Sequence, residues 1–186
     1  SNRVMTVPKS LAKFPLVLVD AAEETNRFPS IEPDEFRIGY DATTRLIEAG
    51  CSRIAYVGCA EPMVAQTGRL AGYRQALMDH GRGFDERLQC DVLNNGPALR
   101  AVEALFDTEQ PNGFFCFNDA RAWYVYETAA RHGLAVGRDI SVVGVDNHRV
   151  FAETLEPQLT TIELPHYEMG YWAANSSCHD REPPAQ

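Results

Sequence analysis

Short apolar runs alternate with amphipathic stretches along most of this chain. Residues 16–19, 54–57, 114–117 and 140–145 are largely aliphatic or aromatic, which is typical of strands buried on both faces. Between these runs, apolar residues recur at the spacing of a helix face. The links between successive runs are too long for hairpins. The pattern therefore predicts an α/β fold, a parallel sheet with helices on both faces.

Local signals predict where several helices begin and end. Asp34 has the side chain of a helix N-cap, and Gly50 and Gly133 follow amphipathic stretches as C-terminal stops. We also expect Asp119 to cap the helix that follows residues 114–117.

The two ends of the chain give weaker patterns. Residues 21–33 contain Asn and Pro at intervals and are expected to form a loop. Pro165 is expected to begin a last helix. The charged and Pro-rich residues 181–186 are expected to form a loop or a frayed end. The apolar side of that helix is predicted to carry Met169, Trp172 and Ala173.

The charge balance restricts the possible partners. The 186 residues include 17 Lys and Arg against 26 Asp and Glu, so the formal net charge is -9 and the chain would repel nucleic acid and anionic membranes. Contact with DNA would need a segment that is absent from this chain. No apolar run reaches the length of a membrane span, and the N-terminus lacks the apolar core of a signal peptide. We expect a soluble, cytoplasmic protein without membrane contact.

Signals for catalysis and for metal binding are weak. The five cysteines contain no Cys-x-x-Cys pair and the five histidines have no ligand spacing, so we expect buried reduced thiols and no metal or cofactor. No nucleotide-binding glycine loop is present. Cys59 could be interpreted as a nucleophile at a strand-to-helix turn, but no sequence feature pairs it with a base. The prediction is that the protein is not an enzyme.

Polar residues that follow the apolar runs are the main functional signal. Asp20, Asn118 and Asp146 each come at the end of a predicted strand, and Arg69 follows the strand that ends at Gly58. Ligands of open parallel sheets bind beyond the carboxyl ends of the strands. Carboxylates, amides and a guanidinium suit a neutral polyol or sugar. The alternative is structural: such residues often cap helices or form turns, and Arg69 could lie on a helix surface.

The order and spacing of six segments resemble the effector-binding domain of the LacI/GalR family of bacterial transcription regulators, which has the periplasmic sugar-binding-protein fold. The segments are PLVLVD (15–20), GCSRIAYVG (50–58), RLAGY (69–73), FND (117–119), DISVVGVDN (139–147) and PQLTTI (157–162). They run through nearly the whole chain. The resemblance implies a regulator whose small-molecule effector, a carbohydrate, controls binding to operator DNA. The alternative with the same fold is a periplasmic sugar-binding protein of a transport system.

The resemblance also implies roles for particular residues. Arg69, Asn118 and Asp146 match residues that contact effector hydroxyls, and Asp20 matches an acid on the opposite lobe. Further positions of the family pocket correspond to Leu164 and His166 at a crossover between lobes, and to Val92 and Leu93 where the family often has a stacking aromatic. Val92 and Leu93 are aliphatic, so this chain departs from the family pattern and has no aromatic ring at these two positions to stack on a sugar.

By the same resemblance, residues 33–163 form a nearly complete C-terminal lobe of the effector-binding domain. Residues 1–32 and 164–186 then correspond to a remnant of the N-terminal lobe, and the helix-turn-helix DNA-binding domain is absent, so we expect a truncated domain. Family members are expected to form homodimers. Operator DNA would be contacted only through the segment that this chain does not contain.

Overall fold

In the computed structural model, the described residues are 3–11 and 13–179, and the chain divides into two compact units. The larger unit comprises Asp34–Pro62 and Gln66–Leu164, and the smaller one contains the residues up to Pro33, Met63–Ala65 and the residues from Pro165 onward. The strands are β1 (Arg3–Met5), β2 (Leu18–Val19), β3 (Ala21–Glu23), β4 (Ser30–Ile31), β5 (Ile54–Cys59), β6 (Gln89–Val92), β7 (Gly113–Cys116), β8 (Ser141–Val145) and β9 (Thr160–Ile162). The helices are α1 (Glu35–Glu48), α2 (Val64–Asp79), α3 (Gly96–Glu109), α4 (Asp119–Arg131), α5 (Arg149–Ala152) and α6 (His166–His179).

The larger unit is built on one sheet of five strands in the order β6-β5-β7-β8-β9. Every neighbouring pair in this sheet is parallel. All residues of β5 and β7 are buried, as expected for central strands covered on both faces. The predicted α/β class with a parallel sheet is confirmed.

Alternate residues of the central strands enter two separate layers of the core. Ala55 and Val57 of β5 pack in a cluster with residues of α3 and α4. Tyr56, between them, points to the opposite face, where its ring centroid lies 5.6 Å from that of Tyr73 on α2 and 5.1 Å from that of Phe115. Helices therefore cover both faces, because successive side chains of a strand point in opposite directions.

The ends of α1 follow the predicted signals. Asp34 Oδ1 accepts a hydrogen bond from the backbone amide of Arg37 at 2.8 Å, so Asp34 is the N-cap. Gly50, just past the end of the helix, has a φ of 84°, which a residue with a side chain rarely adopts. The backbone amide of Gly50 closes the last turn on the carbonyl of Ile47.

In the smaller unit, β1 pairs with β3 and β2 with β4, both in parallel, and α6 packs against β2 and β4. The loop predicted for residues 21–33 is wrong in part, because β3 and β4 lie within it. Each of these short strands forms through backbone pairing with a distant partner, which a local hydrophobic pattern does not reveal.

The last helix differs from its predicted apolar face at one position. Met169 and Ala173 are buried, but Trp172 is 41% exposed. The predicted loop or frayed end at residues 181–186 lies outside the described residues. Within residues 3–11 and 13–179, no helix combines the length and the hydrophobicity needed to cross a membrane.

Candidate functional site

The carboxyl edge of the five-stranded sheet carries three of the predicted site residues. Asn118 follows β7, Asp146 follows β8, and Arg69 reaches this edge from α2. The backbone amide of Asp146 donates to the carbonyl of Ile162 at 2.9 Å, which extends the pairing of β8 with β9 by one residue. Asp146 then turns sharply, with a φ of 105°, so the strand ends there.

Arg69 is buried, with only 3% of its surface exposed. Its Nε donates to Glu35 Oε2 at 2.6 Å and its Nη1 to the backbone carbonyl of Phe117. The guanidinium carbon also lies 4.6 Å from the centre of the Phe117 ring, within the range of a cation–π contact. These contacts exclude the alternative that Arg69 lies on a helix surface.

A close approach of α1 and α2 brings Glu35 to Arg69. A Cβ at Gly72 would lie 2.0 Å from the carbonyl oxygen of Phe36, and one at Gly39 would lie 2.0 Å from that of Arg69. Both glycines are therefore needed for the two backbones to come this near. The segment around Arg69 thus fixes the helix packing as well as the site.

Asp119 has a different role from the one that the sequence predicts, and Asn118 caps the helix in its place. The predicted cap at Asp119 is wrong: Asn118 is the N-cap of α4, with Oδ1 accepting from the backbone amide of Arg121 at 3.2 Å. Asp119 turns into the protein instead, where it accepts from Thr161 Oγ1 at 2.6 Å and from the backbone amide of His148 at 2.7 Å. Because the Asp119 carboxylate is bonded to these partners, the side chain of the preceding residue, Asn118, caps the helix.

Asp119 holds the loop that carries Asp146. Thr161 Oγ1, which donates to Asp119, also accepts from the backbone amide of Asn147 at 3.2 Å. Asn147 has a φ of 48°, so two successive residues after β8 lie in the left-handed half of conformational space. The network of Asp119, Thr161 and His148 stabilises this turn.

The electrostatic environment of Asp146 is mixed. Burial raises the pKa of its carboxyl most strongly, the charge of Arg69 lowers it, and the charge of Asp119 raises it again. Burial also raises the pKa of Asp119, against the opposing effect of its hydrogen bonds from Thr161 and His148. A guanidinium and carboxylates therefore lie close enough to influence one another at this edge.

Sequence reasoning misses Arg121, which is 4% exposed. Its guanidinium donates to the carbonyl of Gly58 at 3.1 Å, to the carbonyl of Val92 at 3.1 Å, to Cys59 Sγ at 3.1 Å and to Asn118 Oδ1 at 3.1 Å. One side chain thereby links the ends of β5, β6 and β7. A signal was available: a cation in the first turn of a helix opposes the helix dipole, so it requires compensating acceptors.

The other predicted residues are distributed differently. Val92 is buried in the hydrophobic core, whereas Leu93 is 45% exposed in the loop after β6. Leu164 is half-buried beyond β9. Asp20, with a φ of 53° between β2 and β3, and His166, exposed at the start of α6, belong to the smaller unit. The larger unit therefore contains Arg69, Asn118 and Asp146 at one edge, and Leu93 is better exposed to a ligand than Val92.

The cysteines are mostly sequestered. Cys51, Cys59 and Cys116 are buried, and Cys90 is partly buried. Burial raises the pKa of the Cys90 thiol to about 11, so the nucleophilic thiolate is disfavoured. The side chain of Cys178 lies outside the described residues.

Comparison with known proteins identifies the family. The model of the periplasmic binding protein-like domain matches residues 43–178, so the chain belongs to that family. The transcriptional repressor PurR of Vibrio atlanticus, a helix-turn-helix type, is 32% identical over 166 residues, which cover 86% of this chain and 48% of that protein. The sucrose operon repressor of Escherichia coli is 28% identical over 186 residues, covering 97% of this chain and 56% of that protein.

A solved structure agrees with these relatives. A LacI-family transcriptional regulator from Rhizobium etli superposes with a TM-score of 0.87 at 26% identity, covering 100% of this chain and 69% of that one. The family resemblance and the fold predicted from the sequence are confirmed. The chain spans about half the length of the curated relatives described above.

Proposed function

We propose that this chain is the effector-sensing part of a cytoplasmic, non-enzymatic LacI-type transcription regulator. In this proposal the larger unit is the C-terminal lobe, residues 33–163, and the smaller one is part of the N-terminal lobe. The effector is a small carbohydrate, and the intact protein is a homodimer that contacts operator DNA through its helix-turn-helix segment. The relatives support a regulator over a transport protein, because those described above are repressors.

The observation that carries the proposal is the set of polar groups at the carboxyl edge of the sheet. Arg69 is held in one orientation by Glu35 and Phe117, and its charge reaches Asp146. A guanidinium donates hydrogen bonds, an ionised carboxylate accepts them, and a carboxamide can do both. Arg69, Asp146 and Asn118 therefore supply the complement of a molecule with several neighbouring hydroxyls. The name of the sucrose operon repressor fits a carbohydrate effector.

Calorimetry on the intact protein tests this site. A panel of neutral mono- and disaccharides that includes sucrose is first screened by thermal shift, and each hit is titrated. We expect Asp146→Asn to weaken binding of the hit by tenfold or more, because the amide replaces a charged acceptor of a sugar hydroxyl.

Asp139→Asn is the matched control, since Asp139 precedes β8 and Asp146 follows it. The carboxylate of Asp139 is engaged by Arg138 and by the backbone amide of Ala135. The control should bind as the wild type does. Unchanged affinity in Asp146→Asn would remove Asp146 from the site.

A second measurement separates the regulator from a transport protein. Fluorescence anisotropy of labelled DNA from the promoter of the gene's own operon should report binding by the intact protein, and the sugar hit should change that affinity. A protein that binds the sugar but not this DNA, at low salt where such contacts are strongest, would favour the transport alternative.

A further inference from the structure

The orientation of the Asn118 carboxamide is fixed by two donors. The backbone amide of Arg121 lies 3.2 Å from Asn118 Oδ1, and Arg121 Nη1 lies 3.1 Å from the same atom. Both neighbours can only donate, so the atom that faces them must be the oxygen of the carboxamide. The Nδ2 group is consequently directed away from Arg121, and no acceptor for it occurs among the described residues.

Arg121 is itself held firmly. Its Nε is bonded to the carbonyl of Gly58 and its Nη2 to the carbonyl of Val92, in addition to the thiol of Cys59. The guanidinium carbon of Arg121 also lies 5.1 Å from the centre of the Phe117 ring. Arg69 contacts the same ring. Within the described part of the chain, this buried guanidinium contacts carbonyls, a carboxamide, a thiol and a ring, but no carboxylate.

We propose that Arg121 is a positioning residue for the effector site. By occupying Oδ1 of Asn118, it forces the carboxamide to present its two N–H donors to the effector. This inference rests on the proposed function, because it assumes that Asn118 contacts the effector. It adds a specificity: the effector places an acceptor oxygen at Asn118, while Asp146 requires a hydroxyl that donates.

This specificity follows from the number of bonds that each group can make. A free carboxamide can rotate by half a turn and serve either a donor or an acceptor. One whose oxygen is already bonded twice cannot do so without breaking both bonds. The site therefore discriminates at Asn118 against a ligand whose only polar group at that point is a donor, since such a group would face Nδ2 unpaired.

A purely structural role for Arg121 is the competing explanation, because the same guanidinium links three strand ends. The experiment must therefore report on the Asn118 carboxamide itself. Intact protein labelled with 15N-asparagine gives side-chain amide signals, and the Asn118 pair is assigned by its loss in Asn118→Asp. The variants to compare are Arg121→Met, which has similar length but no donor, and Arg131→Met, the same change at the exposed end of α4.

In the ligand-free wild type and in Arg131→Met, the Asn118 Nδ2 signals should show the heteronuclear relaxation of a rigid group. In Arg121→Met they should show that of a mobile side chain, while the backbone spectrum stays dispersed. Arg121→Lys, which can still donate to Oδ1, should restore part of the order. Mobility in the wild type, or unchanged order in Arg121→Met, would overturn the proposal. These measurements need no ligand.

The second arm uses sucrose and cellobiose as probes. Asn118→Asp keeps the cap and the Arg121 contact but replaces the Nδ2 donors with an acceptor. We expect it to weaken a sugar that binds the wild type by tenfold or more, and Arg121→Met to weaken it by about tenfold. Full affinity in Asn118→Asp would refute donation by Asn118. If neither sugar binds the wild type, the carbohydrate assignment loses support, while the relaxation data still decide the role of Arg121.

Discussion

Arg69 of α2 and Glu35 at the start of α1 form a buried ion pair, with Nε and Oε2 2.6 Å apart. Both side chains are almost fully shielded from solvent. In such a pair each charge depends on the other, because removing one leaves the second desolvated without a partner. Glu35 therefore has a structural role that supports the orientation of Arg69.

The first prediction concerns this pair. Glu35→Ala should lower the free energy of unfolding by about 3–5 kcal/mol, the usual cost of an uncompensated buried charge. Glu35→Gln should cost less, since its side-chain oxygen can still accept from Arg69 Nε. Urea denaturation measures both. Asp41→Ala removes an exposed ion pair with Arg37 and serves as the control, with an expected change much smaller than that of Glu35→Ala because solvent screens the pair. Equal stability of Glu35→Ala and the control would contradict the prediction.

The second prediction concerns the contact between α1 and α2. Gly72→Ala places a methyl group only 2.0 Å from the carbonyl oxygen of Phe36, so the helices must separate and the variant should lose about 1–3 kcal/mol of stability. Gly170→Ala is the control, because nothing lies within 4 Å of a Cβ there and alanine favours a helix. Thermal unfolding should therefore show a lower melting temperature for Gly72→Ala and an equal or higher one for Gly170→Ala.

The sequence predicts the strands and helices of the larger unit better than the contacts between residues that are distant along the chain. Parallel strands and alternating helices follow from local apolar patterns, and the placement of Asn118 and Asp146 follows from their positions just after predicted strands. Arg69 lies within α2 and reaches the same edge from there. The partner of Arg69 does not follow from local patterns, because Glu35 lies 34 residues earlier on another helix. Similarly, the choice between Asn118 and Asp119 as cap depends on Thr161, which comes 42 residues after Asp119. The local sequence indicates which roles a side chain could have, whereas contacts with distant residues determine which of these roles it has in the fold.

The third prediction concerns pH and His132. Its Nε2 lies 2.9 Å from Asp107 Oδ1, and this hydrogen bond is the main cause that raises the pKa of His132 above its ordinary value of 6.5. The folded state then holds the proton more tightly than the unfolded chain does. The resulting stabilisation is fully present below the unfolded pKa and is lost as pH rises through the folded pKa.

Urea denaturation at a series of pH values from 6 to 9 should therefore show that the unfolding free energy of the wild type falls as pH rises. In Asp107→Asn this fall should be smaller. The Asn variant keeps the size of the side chain and removes the charge that favours the imidazolium. Similar slopes in the wild type and in Asp107→Asn across this range would show that the pair does not contribute to the pH dependence.

The fourth prediction concerns the pH dependence of effector binding. Burial is the main cause that raises the pKa of Asp146 above its ordinary value of 3.8. As pH falls, this carboxylate takes up a proton earlier than an exposed aspartate does, and the protonated form is a weaker acceptor for a sugar hydroxyl. Affinity for a sugar that binds the wild type should therefore decrease in mild acid, starting above the pH at which ordinary aspartates titrate.

Calorimetry between pH 7.5 and pH 4.5 measures this decrease. The variant Asp146→Asn shows whether protonation of Asp146 or of another group causes it. The pKa of Asp119 is also raised by burial, so proton uptake there could loosen the turn that carries Asp146. Among the described residues, the charged or titratable neighbours that act on these two carboxyls are Glu35, Asp119, Arg69 and His148. If Asp146 is responsible, the weak binding of Asp146→Asn should vary little with pH. Asp119→Asn should still show a decrease, shifted to lower pH because the charge of Asp119 no longer raises the pKa of Asp146. The opposite pattern would assign the dependence to the turn and not to the contact with the sugar.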